Sequence, residues 1–148
     1  MVADLEPKRA HAVAARVGGS TLTLDQLFET DCDVYAPCAV GGILSLETVP
    51  RLRCRIVAGS ANNQLAEPEA ADLLHERGIL YAPDYVINAG GAIAIVGLEQ
   101  LGWSQSELDT ALARIGETLR EIYERADAQG ISTAAAADVL VDDRLKAR

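Results

Sequence analysis

Residues 78–93 read GILYAPDYVINAGGAI, and this stretch decides the fold class. Ile79-Leu80-Tyr81 is a short β-prone run halted by Pro83, and Gly78 just before it is a helix stop. The helix it stops spans Glu67 to Arg77, with Pro68 tolerated in the first turn. Asn88 is positioned to cap a further helix. Gly90-Gly91 in that helix's first turn cost about 1 kcal/mol each, which a close approach by packing or by a ligand must offset. A strand following a helix at this spacing is one unit of a parallel α/β sheet.

The same alternation runs back toward the N-terminus. Met1-Val2-Ala3-Asp4 reads as the tail of a strand ending in a carboxylate. An alanine-rich helical stretch, Glu6 to Val17, comes next and is closed by Gly18-Gly19. Thr23 and Gln26 have capping-box spacing and start a short helix through Leu27. Asp33 to Ala36 is a strand ended by Pro37, Ser45 to Leu52 one or two helical turns, and Arg55 to Ala58 the next strand.

Forward of residue 88 the character changes to helix alone. Ala89 to Leu101 is apolar and broken by Gly102-Trp103. Ser104, with Glu107 three residues on, caps a long helix. Leu108, Leu112, Ile115, Leu119, Ile122 and Ala126 form its apolar stripe. Gly130 ends it, and Ser132 caps a last helix to about Leu145. The expected organisation is an α/β region over 1–88 and a helical region over 89–148 packed on it.

Composition sets the bounds. The chain has 148 residues, a net charge of −9 and only 4% aromatics, so the core is built mainly from Ala, Val, Leu and Ile. The negative charge argues against nucleic-acid and anionic-membrane partners. Neither a membrane-length apolar run nor a secretory leader is visible. Cys32, Cys38 and Cys54 form no CxxC pair, which favours reduced thiols in a cytoplasm over disulfides or zinc. His11 and His75 lie far apart on expected helices, and no metal site is expected.

Four places invite a ligand. Asp4, ending a strand before a helix, either accepts both hydroxyls of an adenosine ribose or simply caps the helix. The Gly-rich turn that accompanies such an acid lies roughly 20 residues upstream of it, and no residues occupy that place here. Residues 36–42, APCAVGG, end a strand in Pro and small residues, which lets backbone approach a ligand. Cys38 has no adjacent His or cation to make it a nucleophile. Residues 58–66, AGSANNQLA, offer uncharged donors and acceptors suited to a carboxamide, a ribose or an amino acid. An Asn-rich turn needing positive φ explains the same residues. The fourth place is the Asn88 segment.

Taken together and in register, APCAVGG, AGSANNQLA and GILYAPDYVINAGGAI resemble the C-terminal, NAD-binding domain of the leucine, phenylalanine and valine dehydrogenases. The resemblance covers essentially the whole chain. It implies a partial Rossmann-like, doubly wound parallel sheet, without the first strand and Gly-rich turn, followed by C-terminal helices. It implies NAD as cofactor, with Asp4 at the adenine ribose and Cys38 and Ala39 flanking the cofactor through backbone. Asn62 then faces the nicotinamide and the substrate amino acid, and Asn88 holds the nicotinamide end. Ala92 and Ile95 line the substrate side-chain pocket, where a small Ala92 leaves room for a ring. The run GGAIAIVG and Leu101 to Ser104 resemble phenylalanine dehydrogenases more than leucine or valine ones.

The implied reaction is reversible oxidative deamination of an L-amino acid to a 2-oxo acid, with ammonia and NADH. The family's catalytic lysine has no counterpart, because Lys8 and Lys146 sit in surface helical contexts, so no catalytic residue is expected here. The resemblance has a consequence for the sheet. The central strand of the sheet is supplied from elsewhere, by the missing N-terminal part, by another polypeptide or by strand exchange in a homo-oligomer. The alternative is a non-catalytic binding or assembly module that keeps the domain's shape.

Overall fold

The computed structural model describes residues 1–147. Three short parallel strands, β1 (Val34–Tyr35), β2 (Ile56–Val57) and β3 (Leu80–Tyr81), form a sheet in that order. The register is Val34 beside Ile56 beside Leu80, with Tyr35, Val57 and Tyr81 one step on. Those three form the buried row, joined by Leu44, Val49, Leu52, Cys54, Ala70, Leu74 and Ile79. Burying a side chain the size of Leu74 contributes about 2 kcal/mol. Helix α2 (Glu69–Glu76) covers this cluster with Ala70, Ala71 and Leu74. From the residue after it, the Arg77 guanidinium donates to the carbonyls of Val49 and Leu52. That clamps the single 3₁₀ turn Val49–Arg51, which is all the helix that Ser45 to Leu52 forms.

The first residues depart from the expected strand. Val2 makes one isolated parallel bridge to Thr21, through Val2 N–H to Ser20 O and Leu22 N–H to Val2 O. It does not join the three-stranded sheet. Helix α1 (Pro7–Val17) forms as the alanine pattern requires, burying Ala10 and Ala14 and ending at Gly18. The Thr23–Gln26 capping pair is made reciprocally, yet residues 24–29 stay in turns. Leu27 and Phe28, neighbours in sequence, both pack against the sheet cluster. A regular helix would turn them about 100° apart, given 3.6 residues per turn.

The expected helix from Ala89 to Leu101 forms as α4 (Gly90–Ile95) running directly into a π turn, Val96–Gln100, and a separate short helix, α3 (Asp84–Ile87), precedes it. Trp103 explains the π turn: its ring lies where a Cβ on Gly97 would be, and its backbone N–H donates to Gly97 O. Asn88 sits at the C-terminal end of α3 and does not cap the next helix. Packing accounts for little of the paired glycines. A Cβ on Gly90 would make ordinary contact with Leu112, and one on Gly91 would meet open space.

Helices α5 (Gln105–Gln129) and α6 (Thr133–Lys146) form a hairpin. The Ser104–Glu107 capping box is complete, and the Ser104 N–H and hydroxyl beside Glu107 hold its carboxyl below the usual range. Of the α5 stripe, Leu108, Ile122 and Ala126 are buried, while Leu112, Ile115 and Leu119 are half-buried. Ile122 and Ala126 pack on Ala136, Ala137 and Leu140, with Val86 against them. Thr133 Oγ1 donates to Tyr81 O at 2.7 Å and ties the hairpin to β3. Among the described residues, no helix is long and apolar enough to cross a membrane.

Candidate functional site

Because β1, β2 and β3 run parallel, their carboxyl ends deliver three loops to one edge: residues 36–42, 58–66 and 82–88. Open α/β sheets bind ligands outside that edge. Backbone bonds lace the first two loops together: Ala61 N–H to Pro37 O at 3.0 Å, Gly42 N–H to Asn63 O at 2.7 Å and Leu44 N–H to Gln64 O at 2.9 Å. The lacing is too close for side chains. A Cβ at Gly59 would overlap Pro37, and one at Gly41 would stand 2.6 Å from Asn62 O. Asn63 takes a φ of 52°, a left-handed conformation that Asn tolerates.

Asn62 and Asn88 meet at the rim of this edge. Asn88 Nδ2 donates to Asn62 Oδ1 at 2.6 Å and makes a longer bond, 3.4 Å, to Ala61 O. The pairing leaves the Asn62 Nδ2 donor and the Asn88 Oδ1 acceptor without a partner among the described residues. The AGSANNQLA segment is thus a positive-φ turn at Asn63, and it places the Asn62 amide at the rim.

Beneath the pair lies a buried polar cluster. Gln64 is 0% exposed and its Nε2 donates to Gly59 O at 2.8 Å and Ala61 O at 2.9 Å. Asp84, 7% exposed, accepts from Gln64 N–H through Oδ2 and from the Tyr81 hydroxyl through Oδ1, both at 3.3 Å. Burial, then the neighbouring Asp84, pushes the Tyr81 phenol above its ordinary pKa. Sequence reasoning placed Gln64 with the ligand-facing groups and did not single out Asp84. The spacing of Gln64 and Asp84, twenty residues apart on different loops, carries no local signal of their meeting.

Asp4, Cys38 and Ala39 lie elsewhere on the same edge, around a groove of about 370 Å³ between residues 1–4 and β1 with its following loop. Asp4 Oδ1 accepts from Glu6 N–H at 2.8 Å, and Oδ2 has no partner among the described residues. It thus closes the turn into α1, although the helix N-cap itself is Glu6. Cys38 is exposed, whereas burial raises the thiol pKa of Cys32 and Cys54. The groove has two strand-like walls. β1 bonds β2 through Asp33 and Tyr35 carbonyls, so by alternation Val34 N–H and C=O point the other way. Val2 likewise spends both its groups on residues 20–22, which turns those of Ala3 away from that bridge. Val34 and Ala3 both line the groove.

Ala92 and Ile95 come next along the chain on α4, three residues apart and exposed, Ile95 at 56%. Neither lines the groove. Lys8 and Lys146 are exposed on α1 and at the end of α6. The edge therefore offers the Asp4 carboxyl at the groove, the buried Asp84 carboxyl beneath the asparagine pair, the exposed Cys38 thiol, backbone and amides, which are groups able to bind and orient a ligand.

A family profile described as Glutamate/Leucine/Phenylalanine/Valine dehydrogenase matches residues 3–146. The leucine dehydrogenase of Bacillus cereus is 38% identical over 145 residues, which is 98% of this chain and 39% of that protein. The phenylalanine dehydrogenase of Bacillus thermotolerans is 39% identical over 137 residues, 91% of this chain and 36% of its own. The crystal structure of L-tryptophan dehydrogenase from Nostoc punctiforme superposes with a TM-score of 0.92 at 39% identity, covering 97% of this chain and 44% of that one. The chain thus spans less than half the length of these relatives. With the profile matching nearly every residue, the chain belongs to the glutamate/leucine/phenylalanine/valine dehydrogenase family.

Proposed function

We propose that this chain is the NAD-holding part of an amino-acid dehydrogenase, and that the Asn62–Asn88 pair is its contact with the nicotinamide carboxamide. The observation that carries the reading is the pair's own geometry. With Asn62 Oδ1 taken by Asn88, the remaining Asn62 donor and Asn88 acceptor complement the oxygen and NH₂ of a primary amide. The close approach at Gly41 keeps the neighbouring backbone clear of bulk. Asp4 supplies its Oδ2 to the adenine ribose, and the backbone at Cys38 and Ala39 flanks the cofactor. Residues 1–88 are the cofactor-holding region and 89–148 the helical region packed on it.

When bound, NAD supplies the hydride acceptor for reversible oxidative deamination of an L-amino acid to a 2-oxo acid. Asn62 also orients the amino acid, and Ala92 and Ile95 border its side chain. Phenylalanine is favoured over leucine or valine, because Ala92 is small and exposed. The Ala3 and Val34 edges facing the groove receive a strand from the rest of a longer, oligomeric, cytoplasmic enzyme, which also brings the proton-transfer groups. Relatives named leucine and phenylalanine dehydrogenase, matched over most of this chain, support this class of substrate.

Titration calorimetry of the chain with NAD tests the reading. A dissociation constant of about 1 mM or tighter, weakened at least roughly tenfold by Asp4→Ala, a loss of about 1.4 kcal/mol, is expected. Heats no larger than dilution, or an unchanged affinity in the variant, overturn it.

A further inference from the structure

We infer that Gln64 and Asp84 are positioning residues that hold the Asn62–Asn88 pair in its hydrogen-bonded form. The inference deepens the reading of that pair as a ligand contact. Its starting point is that the pair is joined by a single 2.6 Å bond between two side chains near the surface. Water competes for such a bond, so the bond alone does not fix the orientation of either amide.

The cluster below supplies what the bond lacks. Gln64 Nε2 bridges two carbonyls of its own loop, Gly59 O and Ala61 O, so the chain on the N-terminal side of Asn62 is pinned from inside. Ala61 O is shared: it accepts from Gln64 and from Asn88 Nδ2. One carbonyl therefore links the buried amide to the outer pair. Asp84 sits four residues before Asn88, on α3, and its Oδ2 accepts from the Gln64 N–H. The second and third loops are thereby joined on both sides of the pair, below by Asp84 and above by Asn88.

The residue types suit this task. A glutamine supplies two N–H donors for two carbonyls, which no aliphatic side chain of its size can do. A carboxyl group accepts at both oxygens, here from a backbone N–H and from the Tyr81 hydroxyl. Tyr81 is a strand residue of β3 in the buried row. Through its hydroxyl the loops are referred to the sheet rather than to each other alone. A buried polar group with partners on three elements specifies one arrangement of them, because each partner lost is left unpaired in a low-dielectric site.

Amide NMR of the chain alone, with Gln64→Met and Asp84→Asn, tests this. In Gln64→Met, solvent exchange of the Asn88 side-chain NH₂ is expected to rise roughly tenfold, the factor that losing one hydrogen bond brings. The Asn62 and Asn88 NH₂ resonances move with it, while backbone amides of α5 and α6 keep their wild-type exchange rates. Asp84→Asn, which retains shape and one acceptor, gives the same pattern at smaller size and stands in if Gln64→Met does not fold. Unmoved asparagine resonances in a folded variant overturn the inference. So does an even acceleration across β2, α5 and α6, which is what a purely structural cluster would give. No NAD is in the sample, so failure of the cofactor reading and failure of this one remain separate results.

Discussion

The α5–α6 hairpin and the carboxyl-edge loops solve the same problem of ordering backbone by opposite means. The hairpin relies on contacts local in sequence: a capping box at Ser104, a glycine end at Gly130 and an interface of Ile122, Ala126, Ala136, Ala137 and Leu140. Small alanines let the two helices meet closely, and Arg125–Asp143 and Arg144–Glu121 pair across the outside of the seam. The edge loops depend on contacts between residues twenty or more apart, on two glycines without room for a Cβ, and on a buried Gln64–Asp84–Tyr81 cluster. The helical part is assembled from tolerant interactions, and the part that offers binding groups from intolerant ones.

The largest effect that separates the two is expected at Gly59. Its Cβ would overlap Pro37 backbone, so Gly59→Ala should cost about 3 kcal/mol, the upper range for overpacking, as a lowered urea midpoint. Gly116 in α5 meets nothing within 4 Å, and Gly116→Ala there should stabilise by about 1 kcal/mol through helix propensity. Equal responses at the two glycines would break the comparison.

Alkaline pH gives a second, smaller contrast. Burial, then the charges of Cys54 and Cys32, pushes the Tyr35 phenol from 10.0 up to about 12. A raised folded pKa means the unfolded chain loses its proton first. The contribution is therefore complete below pH 10 and is lost as pH rises from 10 toward 12. Unfolding followed against pH should show that decline, and Tyr35→Phe should flatten part of it. A stability curve level to pH 12 in the wild type would contradict the shift.

The smallest effect is local to the hairpin. Ser104→Ala removes the cap and should cost about 1 kcal/mol, seen as faster amide exchange in the first turn of α5 with the edge loops unaffected. Spread of that change to Asn62 or Asn88 would show that the two regions are coupled more tightly than their contacts imply.

Legibility in the sequence divides along the same line. Helices α5 and α6, their caps and the three parallel strands could be read from local signals, since Ser104-x-x-Glu107 and Val-Ile-rich runs bounded by Gly or Pro act within a few residues. The family motifs marked all three edge loops. Long-range pairing was not legible. Nothing near Met1 to Asp4 shows that Val2 pairs with Thr21 apart from the sheet, and nothing near Gly97 shows that Trp103 will occupy its missing side chain and force a π turn. Asn88 read as a helix cap because a cap is judged from the residues on its C-terminal side; its partner, Asn62, lies 26 residues back.

The proposal to be tested is that the three edge loops with Asp4 beside them, and not the helical hairpin, receive NAD. Chemical-shift mapping of the chain with several millimolar NAD, an excess over a Kd of about 1 mM, tests it most directly. The account predicts perturbed amides at Asp4, Ala39, Asn62 and Asn88, including the side-chain NH₂ groups of both asparagines, with α5 and α6 silent. Perturbations confined to α5 and α6, with those four residues unmoved, would contradict it.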